Sequence, residues 1–289
     1  MDLVVTVLVL TSAAIHPLRE LWIKDDGHPE ALTFAVILQF ALFAALHTVV
    51  LGVDVRPVLA VWPLVLLSAL GLFMYFFSVV ATLRHGDFSI YYPIMRSSPL
   101  YVVVVSALVL GHRYSVSMLF GIALVLISAF FLQYKRGAHF LSDPRTLFMA
   151  VLAMIGHGTL TLADAEAMRT VEPMAFLLIL YILFIPCSAV LFTVMKPPGR
   201  SAAEHLFGGW RKKPLRYFLA GFTSYVVYYL ILKAFQLGGN VAAVSAVRQI
   251  SIPLAVILGG MYLKEASMIG RLSWSVVLAI GVAVIILSR

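Results

Sequence analysis

Charge is scarce in this chain of 289 residues: Asp, Glu, Lys and Arg make up 12% of it, against 62% hydrophobic residues and a mean hydropathy of +1.01. A water-facing surface needs about a quarter of its residues charged, so the shortage excludes a soluble globular protein. Cysteine is almost absent too. The single Cys187 excludes an internal disulfide, and its place in an apolar run reads as a packing thiol. No basic residue precedes Arg19 and an acid, Asp2, stands near the start. The first fifteen apolar residues therefore lack the charged head of a secretory signal and are expected to form a retained helix. Acids are fewer than bases, 13 against 21, but the surplus lies in short connectors. It points to membrane topology and gives no reason to expect a nucleic-acid partner.

Enzymatic signatures are lacking as well. There is no Gly-x-Ser-x-Gly, no His-Glu-x-x-His, no phosphate-cradling Walker loop and no Cys/His metal spacing, and the eight histidines are scattered over separate segments. An intramembrane aspartyl protease needs two mid-membrane aspartates, and only Asp164 qualifies. Neither catalysis, a cofactor nor a metal is expected.

What the chain has in abundance is long apolar runs. About 20 apolar residues cross the roughly 30 Å of bilayer hydrocarbon, and ten such runs are visible: 2–22, 31–51, 58–83, 88–110, 115–134, 146–168, 173–195, 215–235, 240–263 and 269–288. The connectors carry turn and charge signals, such as Asp54-Val55-Arg56-Pro57 and Pro197-Pro198-Gly199-Arg200. A shift of 153 residues lays Ala81 on Ala234, Gly86 on Gly239, Ser98 on Ser251, Leu110 on Leu263 and Ile127 on Ile280, with coincident span boundaries. Five spans per half is an odd number, so the second half enters the membrane from the opposite side. The expected fold class is therefore an all-α membrane protein of ten transmembrane helices in two inverted five-helix repeats, 1–134 and 135–289. Such inverted halves are common in alternating-access transporters. Of 19 basic residues outside mid-span positions, 5 fall on one side and 14 on the other. The richer side is expected to be cytoplasmic, with both termini outside.

Ionisable side chains at membrane depth cost about 2.5 to 3.5 kcal/mol each on insertion scales, so each calls for a partner or a function. Arg96 and Arg248 fall within one position of each other under the repeat shift, each followed by a proline, Pro99 and Pro253. Two guanidinium groups near one pseudo-twofold axis, beside backbone freed by proline, suit forked binding of a carboxylate or phosphate. The bland alternative is structural pairing with Glu20, Asp164 or Glu166, and a pair that opens for substrate unites the two. Candidate substrate-binding neighbours are Gln249 and Ser245 beside Arg248, and His16 and His157 in the opening spans of the two halves. Tyr225, Tyr228 and Tyr229 share a helical neighbourhood at three- and four-residue spacing. Glu20 and Asp164 are candidates for gating or proton coupling.

Each half closes on a related pattern. The first holds Gly86-Asp87-Phe88-Ser89, Arg96-Ser97-Ser98-Pro99-Leu100 and Gly111-His112-Arg113; the second holds Gly238-Gly239-Asn240-Val241-Ala242-Ala243, Pro253-Leu254 and Leu263-Lys264-Glu265. The whole chain thereby resembles the drug/metabolite transporter superfamily of the EamA type, which implies ten helices in two inverted repeats. His112 departs from the glutamate that the family commonly has where Glu265 stands. A narrower branch, some of whose members are associated with phosphonate use, is similar at His16, Lys24, Asp164, Arg169 and Val244-Ser245-Ala246-Val247-Arg248-Gln249. Its usual Trp-Asn after the histidine is replaced here by Arg19-Glu20. Related sugar-phosphate translocators hold phosphate with basic residues of the ninth helix, which favours Arg248. The resemblance implies an integral multi-pass protein, as in the bacterial cytoplasmic (inner) membrane, but with cytoplasmic termini, opposite to the charge count.

The function expected is secondary active transport of a small polar metabolite with an anionic group, phosphate, phosphonate or carboxylate, by alternating access. Its partners are that substrate, the lipid bilayer and a proton or counter-substrate. The alternative is an exporter of amino acids or drug-like compounds in the same fold.

Overall fold

In hydrocarbon every backbone N–H and C=O must be satisfied within the protein, and runs of Leu, Val, Ala and Phe do this as helices. The computed structural model describes residues 1–24, 28–85, 88–133, 143–196, 199–254 and 268–288, and all regular structure among them is helical. In chain order the helices are α1 (Leu3–Lys24), α2 (Pro29–Val50), the short α3 (Pro57–Ala60), α4 (Trp62–His85), α5 (Phe88–Met95), α6 (Ser98–Leu108), α7 (Val116–Gln133), α8 (Pro144–Ala167), α9 (Pro173–Val194), the short α10 (Ala202–Phe207), α11 (Pro214–Gln236), α12 (Val241–Val247) and α13 (Met268–Leu287). A 3-10 turn, Arg248–Ile250, follows α12. Among the described residues, five helices are long and apolar enough to cross a membrane, those containing 30–50, 62–79, 144–167, 173–194 and 214–236, and shorter apolar helices cover 3–17, 116–132, 241–254 and 273–287. The fold is that of an all-helical membrane protein.

Helix ends follow from local chemistry. Proline opens α2, α3, α8, α9 and α11, where its missing N–H is not needed. Asp143 caps α8 through the N–H groups of Arg145 and Thr146, and Asn240 caps α12 through those of Ala242 and Ala243. Behind α11, Gly238 takes φ +84°, and the N–H of Gly239 returns to the Ala234 carbonyl.

Packing leaves aliphatic side chains such as Val49, Leu108, Val116 and Val194 turned outward, as a lipid-facing belt requires, and buries Phe176, Phe184, Leu180 and Leu232. The principal pairings are α4 on α8, α7 on α13, α1 on α11, and α2 on α9 and α11. In lipid no hydrophobic effect drives helices together, so close backbone approach through small residues does much of that work. At α4 and α8, a Cβ on Gly71 would stand 2.6 Å from the Gly156 carbonyl oxygen, and one on Gly156 would stand 2.8 Å from the Gly71 carbonyl oxygen. The α7 and α13 backbones meet likewise at Gly121 and Gly281. At α1 and α11, Ser12 donates to the Val227 carbonyl at 2.9 Å.

Candidate functional site

Two helix interruptions face each other in the middle of the bundle. The first separates α5 from α6 at Arg96-Ser97, where Pro99 can offer no N–H to the carbonyl four residues back. The second is the 3-10 turn of Arg248, Gln249 and Ile250, which ends three residues before Pro253. The Gln249 carboxamide donates to the Arg96 carbonyl at 3.1 Å, and the Arg96 guanidinium donates to Ser251 Oγ at 3.1 Å. Arg96 also sits 5.9 Å above the centroid of the Tyr92 ring.

Arg248 is held differently. Among the described residues its guanidinium makes no hydrogen bond and no ion pair, and it faces a cavity of about 140 Å³. The acids that could have neutralised it are engaged elsewhere. Asp164, 1% exposed, accepts from Ser68 Oγ at 2.6 Å and from the Tyr228 hydroxyl. Glu166 pairs with Arg169 at 3.2 Å near the end of α8. Arg248 lies within electrostatic range of Asp164, Tyr228 and Tyr75, and of the second cation, Arg96. The Glu20 side chain lies outside the described residues.

The cavity draws its walls from α1, α2, α4, α8, α9, α11, α12 and both interruptions. Of the residues singled out in the sequence, it gathers His16, His157, Arg96, Arg248, Gln249, Ser245 and Tyr228. His157 Nδ1 bonds Ser98 Oγ at 3.0 Å, and its ring meets Tyr75 edge to face at 5.4 Å. The Gln249 carboxamide oxygen is buried with no hydrogen-bond partner among the described residues. Tyr225 and Tyr229 stand apart from this lining: Tyr225 bonds His47 Nδ1 at 2.9 Å, and the Tyr229 ring lies 4.9 Å from the His47 ring. Consecutive helical residues point about 100° apart, so Tyr228 reaches the cavity while Tyr229 faces α2.

Sequence reasoning missed Tyr75, Tyr181, Phe40, Thr33 and Ser224, all of which line the cavity. One signal was available: the shift that lays Ser98 on Ser251 also lays Tyr75 on Tyr228. His16 and His157 correspond at a shorter shift, 141 residues, because the early connectors differ in length.

The result is a mostly apolar, partly aromatic chamber with a guanidinium, a buried amide oxygen, an imidazole and hydroxyls turned into it. It can hold a small polar solute and offer forked donors to an oxyanion.

Comparison with known proteins agrees with this architecture. The model of the EamA-like transporter family matches residues 2–134. No curated protein matches the chain. Among solved structures, 27 chains resemble it. One crystal structure, described only as that of a protein, superposes with a TM-score of 0.77 at 16% identity, covering 99% of this chain and 98% of the other. At that identity the likeness shows a shared fold. Over residues 2–134 the chain is similar to the EamA-like transporter family, a group within the drug/metabolite transporter superfamily.

Proposed function

We propose that the protein is a secondary active transporter that moves a small polar metabolite with an anionic group, a phosphate, phosphonate or carboxylate, by alternating access. The observation that carries this reading is Arg248, a cation without a hydrogen bond or ion pair among the described residues, facing a cavity deep in the bundle. A desolvated guanidinium is expensive to leave bare, and a bound oxyanion offsets that cost through two parallel hydrogen bonds. Arg96, anchored by Ser251, adds its field from the facing interruption. His16, His157, Ser245, Gln249 and Tyr228 supply further hydrogen bonds, and Tyr225 and Tyr229 support α11 from behind against His47. Glu20 and Asp164 are the carboxyl groups available for gating or proton coupling.

We read the scaffold as ten helices in two inverted repeats, 1–134 and 135–289. Packing supports this, because α1 on α11 and α4 on α8 exchange when the halves are swapped, while α7 on α13 and α2 on α9 map onto themselves. The rocking of one half against the other is then the conformational step, with a proton or counter-substrate as driving force. The setting is a membrane such as the bacterial inner membrane.

A second reading, export of amino acids or drug-like compounds, draws on the aromatic wall of Phe40, Tyr75, Phe76, Tyr181 and Tyr228. Thermal unfolding of the purified protein separates the two. Inorganic phosphate, a phosphonate or a dicarboxylate is expected to raise the melting temperature by mass action, and Arg248→Ala to abolish the rise while remaining folded. Stabilisation by zwitterions or aromatic cations alone, or an undiminished anion effect in Arg248→Ala, sinks the anion reading.

A further inference from the structure

A second and larger cavity, about 520 Å³, lies where α6, α8 and α11 end and α12 begins. His112, Arg113, Glu166, Arg169, Gln236 and Asn240 supply its polar lining. Two guanidinium groups face one carboxylate there, and the His112 Nδ1 is buried with no hydrogen-bond partner among the described residues. The chamber is thus weighted toward anions.

The two cavities follow each other along the same helices. On α8 the central cavity is lined by Leu160 and the outer one by Leu162 and Ala165; on α11 the pair is Tyr228 and Phe235; on α12 it is Ser245 and Val241. At 1.5 Å per residue these steps are about 3 to 10 Å, from about half a helical turn to two turns. Asp164 lines neither: it stands one turn beyond Leu160, at the level of the outer cavity's Leu162 and Ala165. Its carboxylate takes hydroxyl hydrogen bonds from Ser68 on α4 and Tyr228 on α11, which ties three helices together at that level. Since α11 packs with α1 and α4 packs with α8, the bond from Tyr228 to Asp164 joins two separate helix pairs.

Resting on the anion reading of Arg248, we propose that the larger cavity is the vestibule of the same anion path and that Tyr228, Asp164 and Ser68 form the gate between vestibule and central site. The tyrosine hydroxyl has a single proton to donate. In the structure it goes to Asp164. Tyr228 also lines the central cavity with Arg248, so an oxyanion seated on Arg248 competes with Asp164 for that one donor. Occupancy draws the hydroxyl off the carboxylate, releases α11 from α8 and opens the way toward Arg113 and Arg169. An empty site keeps the gate shut.

The test uses full-length protein in liposomes with Cys187, the only cysteine, replaced by serine. Ser245→Cys then serves as the reporter in the central cavity, and Arg113→Cys in a parallel preparation marks which face the vestibule opens to. A membrane-impermeant maleimide applied to that face is expected to label Ser245→Cys slowly, and at least tenfold faster with inorganic phosphate. Tyr228→Phe or Asp164→Leu is expected to give the faster rate without phosphate. Asp164→Leu keeps a similar side-chain size but offers no acceptor, and carries the test if Tyr228→Phe fails to fold. Unchanged labelling in a folded variant, with phosphate still protecting the reporter from the opposite face, overturns the gate and leaves the anion reading standing. Fast labelling in the variants with no response to phosphate from either face overturns the anion reading instead.

Discussion

Arg96 and Arg248 occupy nearly equivalent places at two facing helix interruptions, yet their surroundings differ. Arg96 is anchored: Ser251 accepts from its guanidinium, the Tyr92 ring lies beneath it, and its own carbonyl takes a bond from Gln249. The Arg248 guanidinium has neither a hydrogen bond nor an ion pair among the described residues. On the proposed reading, Arg96 holds the interruptions together and Arg248 is left for a solute, although the two stand within one position of each other under the 153-residue shift.

The largest effect comes from dissolving the frame that both arginines share. Gly156 brings the backbones of α4 and α8 into contact one residue from His157, which holds Ser98 at the start of α6. Gly156→Leu has no room at 2.8 Å from two backbone atoms of α4. A loss of more than about 3 kcal/mol is expected, read as failure to purify a monodisperse protein. A leucine variant that purifies and melts like the parent shows that the crossing does not set the site.

Removing the arginines singly sharpens the comparison. Arg248→Ala is expected to weaken phosphate or phosphonate binding by about 2 kcal/mol or more, roughly 30-fold. Without ligand the same variant should melt at the parental temperature or a few degrees above it, because a bare cation has been taken out of a low-dielectric site. Arg96→Ala should do the opposite and lower the ligand-free melting temperature by several degrees. Equal ligand-free destabilisation by both substitutions would erase the distinction. Ser251→Ala gives a smaller effect of the same kind: it removes one charge-assisted bond to Arg96, about 1 to 2 kcal/mol of stability, and should change anion affinity less than about threefold.

What the sequence made legible follows the same physics. Mid-span arginines stand out because charge at membrane depth is costly, and Pro99 and Pro253 mark both interruptions by the N–H groups they lack. Seven of the residues expected at the site line one cavity. Tyr225 and Tyr229 do not, because three tyrosines at positions 225, 228 and 229 cannot all point one way, and local spacing does not tell which way the cavity lies. Tyr75 and Tyr181 were hidden as lone tyrosines in apolar runs. The bond from Ser68 to Asp164 spans 96 residues, a pairing that no local pattern carries.

A charge in water supplies the last contrast. Asp143, at the start of the helix that carries His157 and Asp164, is held below the usual carboxylate range, chiefly by the Thr146 hydroxyl and then by its backbone N–H. Because the folded value is depressed, its contribution to stability is fully present above the unfolded value of 3.8 and is lost as pH falls through the lower folded value. Asp143→Ala should therefore melt slightly below the parent at pH 7, with the two curves converging as pH falls through the depressed folded value. The exposed carboxylate is screened by solvent, so this is the smallest shift of the set. An Asp143→Ala effect as large as that of Arg96→Ala would mean that capping in the loop, and not the anchoring of a cation at depth, governs the stability of this half of the chamber.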